Sequence, residues 1–235
     1  MGHDREVSLA IPPLPGNTVL VVEVGSTAHG TGLPGGEDHD EIAVVIEAPV
    51  DVLGLNEQGM RSVMQRTQPE GSRSGPGDTD RTLYSLRRFV RLAASGNPSI
   101  LMCFWAPVMS STEDGWELRA LGDAFIGRHV IPRYRGYMQA QAERLVGVRG
   151  SAHGKRGGGQ REELVSEHGY DTKFAMHCAR LGFQGPRAAQ CRVPAAPYRW
   201  RAGRLAPRRP PRRRALRRMV GAVARPRCQA RSNGG

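Results

Sequence analysis

Two aspartates and a preceding Gly-Ser pair have types and spacing suited to chemistry: Asp38, Asp40, Gly25 and Ser26. Alternate residues of a β-strand share one face, so a strand here would present both carboxylates side by side. Like charges this close raise each other's pKa, and a divalent cation relieves the repulsion. Mg²⁺ prefers a few carboxylates together with substrate phosphates. Gly25 and Ser26 can offer backbone N–H groups and a hydroxyl to a phosphate. The pattern therefore predicts nucleotidyl transfer from a nucleoside triphosphate (NTP).

The flanking sequence predicts the strands that would position these residues. A β-rich run, Thr18–Val24, enters the Gly-Ser pair, and residues 26–33 are expected to form a turn or short helix. Residues 37–46 form an apolar second strand that carries the two aspartates. An isolated acidic pair in a loop is usually solvated, so the strand context is what favours a metal site.

The order of these residues resembles a known signature. Gly25-Ser26 followed by Asp38-His39-Asp40 is similar to the motif of the DNA polymerase beta-like nucleotidyltransferase superfamily. The string GSTAHGTG…EDHDEIAVV, together with TLYSLRRFVRLAASGNP (82–98) and GYDTKFAMHCARLGFQG (169–185), resembles one branch of it. That branch comprises predicted nucleotidyltransferases of phages and bacterial RNA-repair loci. The resemblance runs from about residue 17 to residue 185.

The resemblance implies further site residues. Asp80 corresponds to a third carboxylate on a neighbouring strand, with Asp78 as its substitute. Asp38, Asp40 and Asp80 would then be the catalytic residues and would hold Mg²⁺, while Gly25 and Ser26 bind the phosphates.

A later helix is the second implied substrate-binding element. Lys173 and His177 are spaced i, i+4 on a helix that Asp171 can cap, so they share a face and are expected to contact the nucleotide. The alternative is a solvated surface helix.

Other basic residues give weaker signals. Residues 153–156 (His-Gly-Lys-Arg) resemble a basic loop of the same family, although plain flexibility is the favoured explanation. A Walker A loop is rejected because the glycine spacing is too short and Arg156 stands where Ser or Thr must hold Mg²⁺. His29 could approach a phosphate. His39 lies between the aspartates and is expected to point away from them.

The charge is distributed unevenly. The chain holds 34 basic and 22 acidic residues, but residues 186–235 contain 15 arginines and no acidic residue. The preceding part is therefore slightly acidic. A segment this polar and Pro-rich cannot offset its ordering entropy, so disorder is expected. It could be a nucleic-acid-binding arm, a basic linker, or a translation in a shifted reading frame. The abrupt end of the resemblance after Gly185 favours the shifted frame.

These observations predict an α/β fold with four regions. Residues 1–16 are an N-terminal arm, 17–110 a small mixed-sheet nucleotidyltransferase core, 111–185 a helical region, and 186–235 a disordered Arg-rich tail. Helices are expected over 84–95, 116–125, 133–148, 161–168 and 171–182, while 99–105 could be a core strand or a helix. Cys103 and Cys178 are expected in the core, since the four cysteines lack zinc-site spacing. No signal peptide or 18-residue apolar run is present, so we expect a cytoplasmic protein that does not contact a membrane.

The predicted activity is Mg²⁺-dependent transfer of a nucleoside monophosphate from NTP to a hydroxyl acceptor, with RNA the favoured acceptor. An antitoxin-type enzyme that transfers AMP to a protein would use the same metal site. A basic RNA-binding protein with a decayed catalytic module is the non-enzymatic alternative.

Overall fold

A five-stranded mixed sheet forms the first half of the chain. The computed structural model describes residues 11–29, 38–53, 62–69, 74–147 and 160–189. The strands are β1 (Thr18–Val24), β2 (His39–Val45), β3 (Ser62–Arg66), β4 (Thr79–Ser85) and β5 (Val108–Ser111). Their order is β3-β4-β2-β1-β5, and β2–β4 is the parallel pair in an otherwise antiparallel sheet. This architecture confirms the predicted small mixed-sheet core followed by helices.

Eight α-helices accompany the sheet within the described ranges. They are α1 (Gly25–His29), α2 (Pro49–Leu53), α3 (Leu86–Ala94), α4 (Pro98–Cys103), α5 (Glu113–Ala120), α6 (Val130–Leu145), α7 (Glu162–His168) and α8 (Thr172–Ala189). A 3₁₀ turn, Gly122–Phe125, follows α5. None of these helices is long and apolar enough to cross a membrane.

The main core lies between one face of the sheet and helices α3, α4 and α6. Phe89 and Ala93 of α3 are buried, as the spacing predicted, with Leu86 and Val90 packed beside them. Residues 99–103 are helical rather than extended, and 104–105 form a turn. Asn97 caps α4, since its side chain accepts hydrogen bonds from the backbone N–H groups of residues 99 and 100. Cys103 and Cys178 are both buried, as expected.

Helix α8 packs along α6. The predicted apolar face is confirmed, because Phe174, Cys178 and Leu181 are all buried. The helix does not end at Gly182, as the sequence suggested, but continues to Ala189. At Gly185 a Cβ atom would lie 3.3 Å from the Cβ of Tyr134, so α8 approaches α6 closely there. The tail assigned from residue 186 therefore begins inside a helix.

The edge strands of the sheet and some short helices were not predicted correctly from the sequence. Strands β3 and β5 and helix α2 were not predicted, and the expected helix over 116–125 is divided into α5 and the 3₁₀ turn. Val63 and Met64 of β3 are 55% and 60% exposed, so β3 lacks the apolar alternation that identifies a half-buried strand. Residues 1–10, the basic loop at 153–156 and the tail beyond residue 189 lie outside the described residues.

Candidate active site

The aspartates lie where β2 and β4 begin. Because the two strands are parallel and in register, Asp40 is the direct partner of Asp80. Asp38 precedes β2 by one residue and Asp40 is its second residue. His39, between them, is exposed, and its Nδ1 lies 3.3 Å from Oε1 of Glu23. The predicted alternation of the two aspartates with an outward His39 agrees with this arrangement.

The electrostatic environment of Asp40 reflects this clustering. Burial, followed by the negative charges of Asp38 and Asp80, raises the pKa of Asp40 to about 6. The positive charges of Lys173 and Arg66 act in the opposite direction. Three carboxylates and two cations from four different elements therefore interact at one end of the sheet. A cation bound here would be stabilised by anions that repel one another in its absence.

Gly25 lies against the carboxylate of Asp40. It directly follows β1, adopts a left-handed φ of 73°, and opens the short helix α1. A Cβ atom at this position would stand 2.8 Å from Cγ of Asp40, closer than real side chains approach. Glycine is therefore required here for space as well as for conformation. Ser26 follows it and is half-buried.

Asp80 is held by three residues that the sequence did not identify. Arg66 donates from Nε to Oδ1 (2.9 Å) and from Nη2 to Oδ2 (3.1 Å). Gln68 Nε2 donates to Oδ1 at 2.8 Å, and Ser74 Oγ donates to Oδ2 at 2.7 Å. Although burial opposes it, these hydrogen bonds lower the pKa of Asp80 below its ordinary value. No sequence motif predicted these hydrogen bonds, because Arg66 lies on the unpredicted strand β3 and Gln68 and Ser74 lie in flanking loops.

Asp78, the substitute third carboxylate, has a local role. Thr67 Oγ1 donates to its Oδ1 at 2.9 Å, and the backbone N–H of Gly75 donates to its Oδ2 at 2.8 Å. These contacts close the turn that leads into β4. Geometry therefore favours Asp80 over Asp78 as the partner of Asp40.

The carboxylates of Asp38 and Asp40 are the two groups that could hold Mg²⁺ at this site. No cluster of three His, Cys, Asp or Glu side chains ready to hold a metal ion is found among the described residues. Asp38 and Asp40 remain, and Mg²⁺ commonly binds one or two carboxylates together with substrate phosphates and water. Burial and then the negative charges of Asp38 and Asp80 raise the pKa of Asp40, and a bound cation would relieve the repulsion between these charges. The residues fit the ion on these grounds.

Helix α8 carries both predicted residues, Lys173 and His177, and of the two it is Lys173 whose charge acts on Asp40. Its N-terminus is fixed by the fully buried Asp171, which accepts hydrogen bonds from the backbone N–H groups of Lys173 (3.0 Å) and Phe174 (3.2 Å). Asp171 also pairs with Arg161 at 3.2 Å. The predicted cap is confirmed. Lys173 is exposed, and its positive charge acts to lower the pKa of Asp40.

His177 lies in a cationic environment. Burial lowers the pKa of this side chain to about 4, and the positive charges of Arg180, Arg161 and Lys173 add to the effect, against Asp171. His177 is therefore neutral at physiological pH. Arg161 and Arg180 were not singled out from the sequence, although Arg180 follows His177 at i+3 and shares its face.

Comparisons with known proteins identify the family of the chain. A family model described as the RNA repair pathway DNA polymerase beta family, RlaP, matches residues 6–207 and so extends beyond both ends of the segment 17–185. Among solved structures, a nucleotidyltransferase-like protein from Exiguobacterium sibiricum 255-15 is similar at 9% sequence identity with a TM-score of 0.31. That similarity covers 74% of this chain and 52% of the other. No curated protein matches the chain significantly.

Proposed function

The chain belongs to the RNA repair pathway DNA polymerase beta family, and from this membership we propose that it transfers a nucleoside monophosphate from NTP to a hydroxyl group of RNA. The observation that carries the proposal is the register of β2 and β4, which sets Asp40 beside Asp80 with Gly25 packed against Asp40. The acidic cluster lies against the backbone of Gly25, and the positive charge of Lys173 acts on it. This combination suits a metal-bound triphosphate.

Each residue has a proposed role. Asp38 and Asp40 hold Mg²⁺, and Asp80 adds a third negative charge to the cluster. Gly25 and Ser26 bind the phosphates through the backbone and the hydroxyl. Lys173 and His177 contact the triphosphate from α8: Lys173 as a cation, His177 as a neutral hydrogen-bonding group.

Catalysis in this proposal consists mainly of positioning and charge neutralisation. When bound, Mg²⁺ lowers the pKa of an attacking hydroxyl and neutralises charge on the phosphates. The residues themselves orient the α-phosphate for in-line attack by the acceptor hydroxyl, with pyrophosphate as the leaving group. No covalent enzyme intermediate is required.

RNA is the acceptor we favour because the family description places its members in an RNA repair pathway. The 15 arginines of residues 186–235, with no acidic neighbour among them, would also attract a polyanion.

The test is incubation of the full chain with each α-³²P-labelled NTP, Mg²⁺ and RNA, followed by separation of RNA from protein. Label in RNA supports the proposal. Label on an added or co-purified protein would instead indicate the protein-modifying activity. No transfer with any NTP, from a folded protein, would indicate a decayed module. An Asp40→Asn variant serves as the matched inactive control.

A further inference from the structure

The carboxylate of Asp80 is fully engaged by neighbouring side chains. Its Oδ1 accepts from Arg66 Nε and Gln68 Nε2, and its Oδ2 accepts from Arg66 Nη2 and Ser74 Oγ, all at 2.7–3.1 Å. A carboxylate offers about four lone-pair directions, so four donors satisfy it. Its side chain is only 15% exposed. A metal ion could bind Asp80 only by displacing donors that already complete its hydrogen bonding.

Arg66 is correspondingly oriented by Asp80. The two bonds hold the planar guanidinium in the two-point geometry that Arg forms with carboxylates. They use Nε and one N–H of Nη2, which leaves the two N–H groups of Nη1 and the second of Nη2. The Arg66 side chain is 32% exposed, and its positive charge acts on Asp40 as well as on Asp80. A guanidinium so placed suits a phosphate better than a flexible ammonium does.

We propose that Asp80 is a positioning residue rather than a metal ligand, and that Arg66, which it orients, binds the triphosphate beside Asp38 and Asp40. Arg66 on β3 and Lys173 on α8 then supply cations to the phosphates from two elements. Asp38 and Asp40 with the phosphates provide the oxygen ligands that Mg²⁺ needs. This inference rests on the proposed nucleotidyl transfer and assigns a different role to the third carboxylate.

Metal-binding measurements distinguish a positioning role of Asp80 from a role as a metal ligand. Mn²⁺ binding to the full chain without nucleotide is measured by electron paramagnetic resonance for wild type, Asp40→Asn and Asp80→Asn. We expect Asp40→Asn to lose at least about tenfold in Mn²⁺ affinity. Asp80→Asn, which removes only a neighbouring charge, should lose less than about threefold. An equal loss in both variants would make Asp80 a metal ligand and overturn the proposal.

Phosphate binding tests Arg66. Inorganic tripolyphosphate with Mg²⁺ is the probe, since it needs no choice of base. Arg66→Gln and Asp80→Asn should each weaken its binding about tenfold, and the double variant should lose little more, because both changes remove one oriented group. Arg66→Lys keeps the charge and should recover only part of the affinity. It also provides a milder change should Arg66→Gln fail to fold.

A remote arginine provides the matched control. Arg87 forms a similar ion pair with Glu47, with Nε 2.8 Å from Oε1, but lies on α3. Arg87→Gln should leave tripolyphosphate affinity unchanged, which separates phosphate binding from the general loss of an ion pair. Unchanged affinity in folded Arg66→Lys and Arg66→Gln would overturn the role of Arg66. A wild type that binds neither Mn²⁺ nor tripolyphosphate would overturn the proposed function itself.

Discussion

Gly25 stands so close to Asp40 that a single added methyl group would reach its carboxylate carbon. The glycine follows β1 and the aspartate lies in β2, so the pairing of these strands fixes the contact. The positive φ of Gly25 turns the chain at this point. The turn at Gly25, which we propose binds phosphate, and the carboxylate cluster are therefore parts of one arrangement.

Gly25→Ala should accordingly weaken both Mn²⁺ and tripolyphosphate binding, because the new Cβ displaces the Asp40 carboxylate. Gly77→Ala is the matched control: Gly77 has a similar φ of 82° but nothing within 4 Å of its Cβ position. The free energy of unfolding should fall by about 1–2 kcal/mol in both variants, because alanine is strained in the left-handed conformation. Only Gly25→Ala should lose ligand affinity, as measured by isothermal titration calorimetry. Equal affinities in the two variants would place the phosphates away from Gly25.

Asp38→Asn and Asp40→Asn should each abolish Mg²⁺-dependent transfer while the protein remains folded. Removing one charge from a repelling group should leave the melting temperature unchanged or raise it by about 2–4 °C per kcal/mol gained. Transfer assays and thermal denaturation check both parts. Asp123→Asn, at an exposed position in the 3₁₀ turn, should change neither. Wild-type turnover in either site variant at saturating Mg²⁺ would contradict the metal assignment.

His177 should make stability depend on pH below neutrality. Its pKa is about 4 in the folded protein, against an ordinary value of 6.5. The unfolded chain therefore binds the proton first as pH falls. Stability that is fully present above pH 6.5 is lost progressively towards pH 4.

His177→Gln should abolish this part of the pH dependence. Relative to pH 8, the variant should lose less unfolding free energy than wild type at pH 4.5, by about 2 kcal/mol. Urea denaturation at the two pH values measures the difference. His168→Gln is the control, since His168 is exposed at the end of α7. Identical pH profiles for wild type and His177→Gln would show that His177 is not buried among cations.

Removal of residues 190–235 should eliminate most non-specific RNA affinity. This deletion keeps α8 complete and removes 14 of the 15 arginines that follow Gly185. Binding by counterion release falls steeply with salt, so the full chain should show a large salt dependence that the truncated one lacks. Fluorescence anisotropy with two unrelated RNAs at several salt concentrations measures both. A truncated chain that retained the salt-dependent affinity would place the RNA-binding surface within residues 1–189.

The sequence identified those parts of the site that repeat a local pattern. The Asp38–Asp40 alternation, Gly25 in a turn and the Asp171 cap are short-range features with defined spacing, and the structure contains each of them. The surroundings of Asp80 could not be read in this way. Arg66, Gln68 and Ser74 reach it through pairing of an edge strand with β4, which depends on distant residues.

The same distinction applies to the fold. Helices with a periodic apolar face, such as α3 and α8, were located from spacing, although their ends were not. The continuation of α8 beyond Gly182 depends on its packing against α6, where a glycine is favourable because it permits close approach. Local propensity opposes that outcome, and tertiary contact overrides it.

Helix α8 connects two distant points of the fold. Lys173 near its start is about 18 Å from Gly185, at 1.5 Å per residue along the axis. At Gly185 the helix packs closely against Tyr134 of α6. A side chain at residue 185 would require Tyr134 or α8 to shift by a few tenths of an ångström, and a shift of α8 would move Lys173 relative to the carboxylates. A larger residue at position 185 would thus change the position of Lys173 relative to the proposed metal-binding carboxylates without replacing any of them.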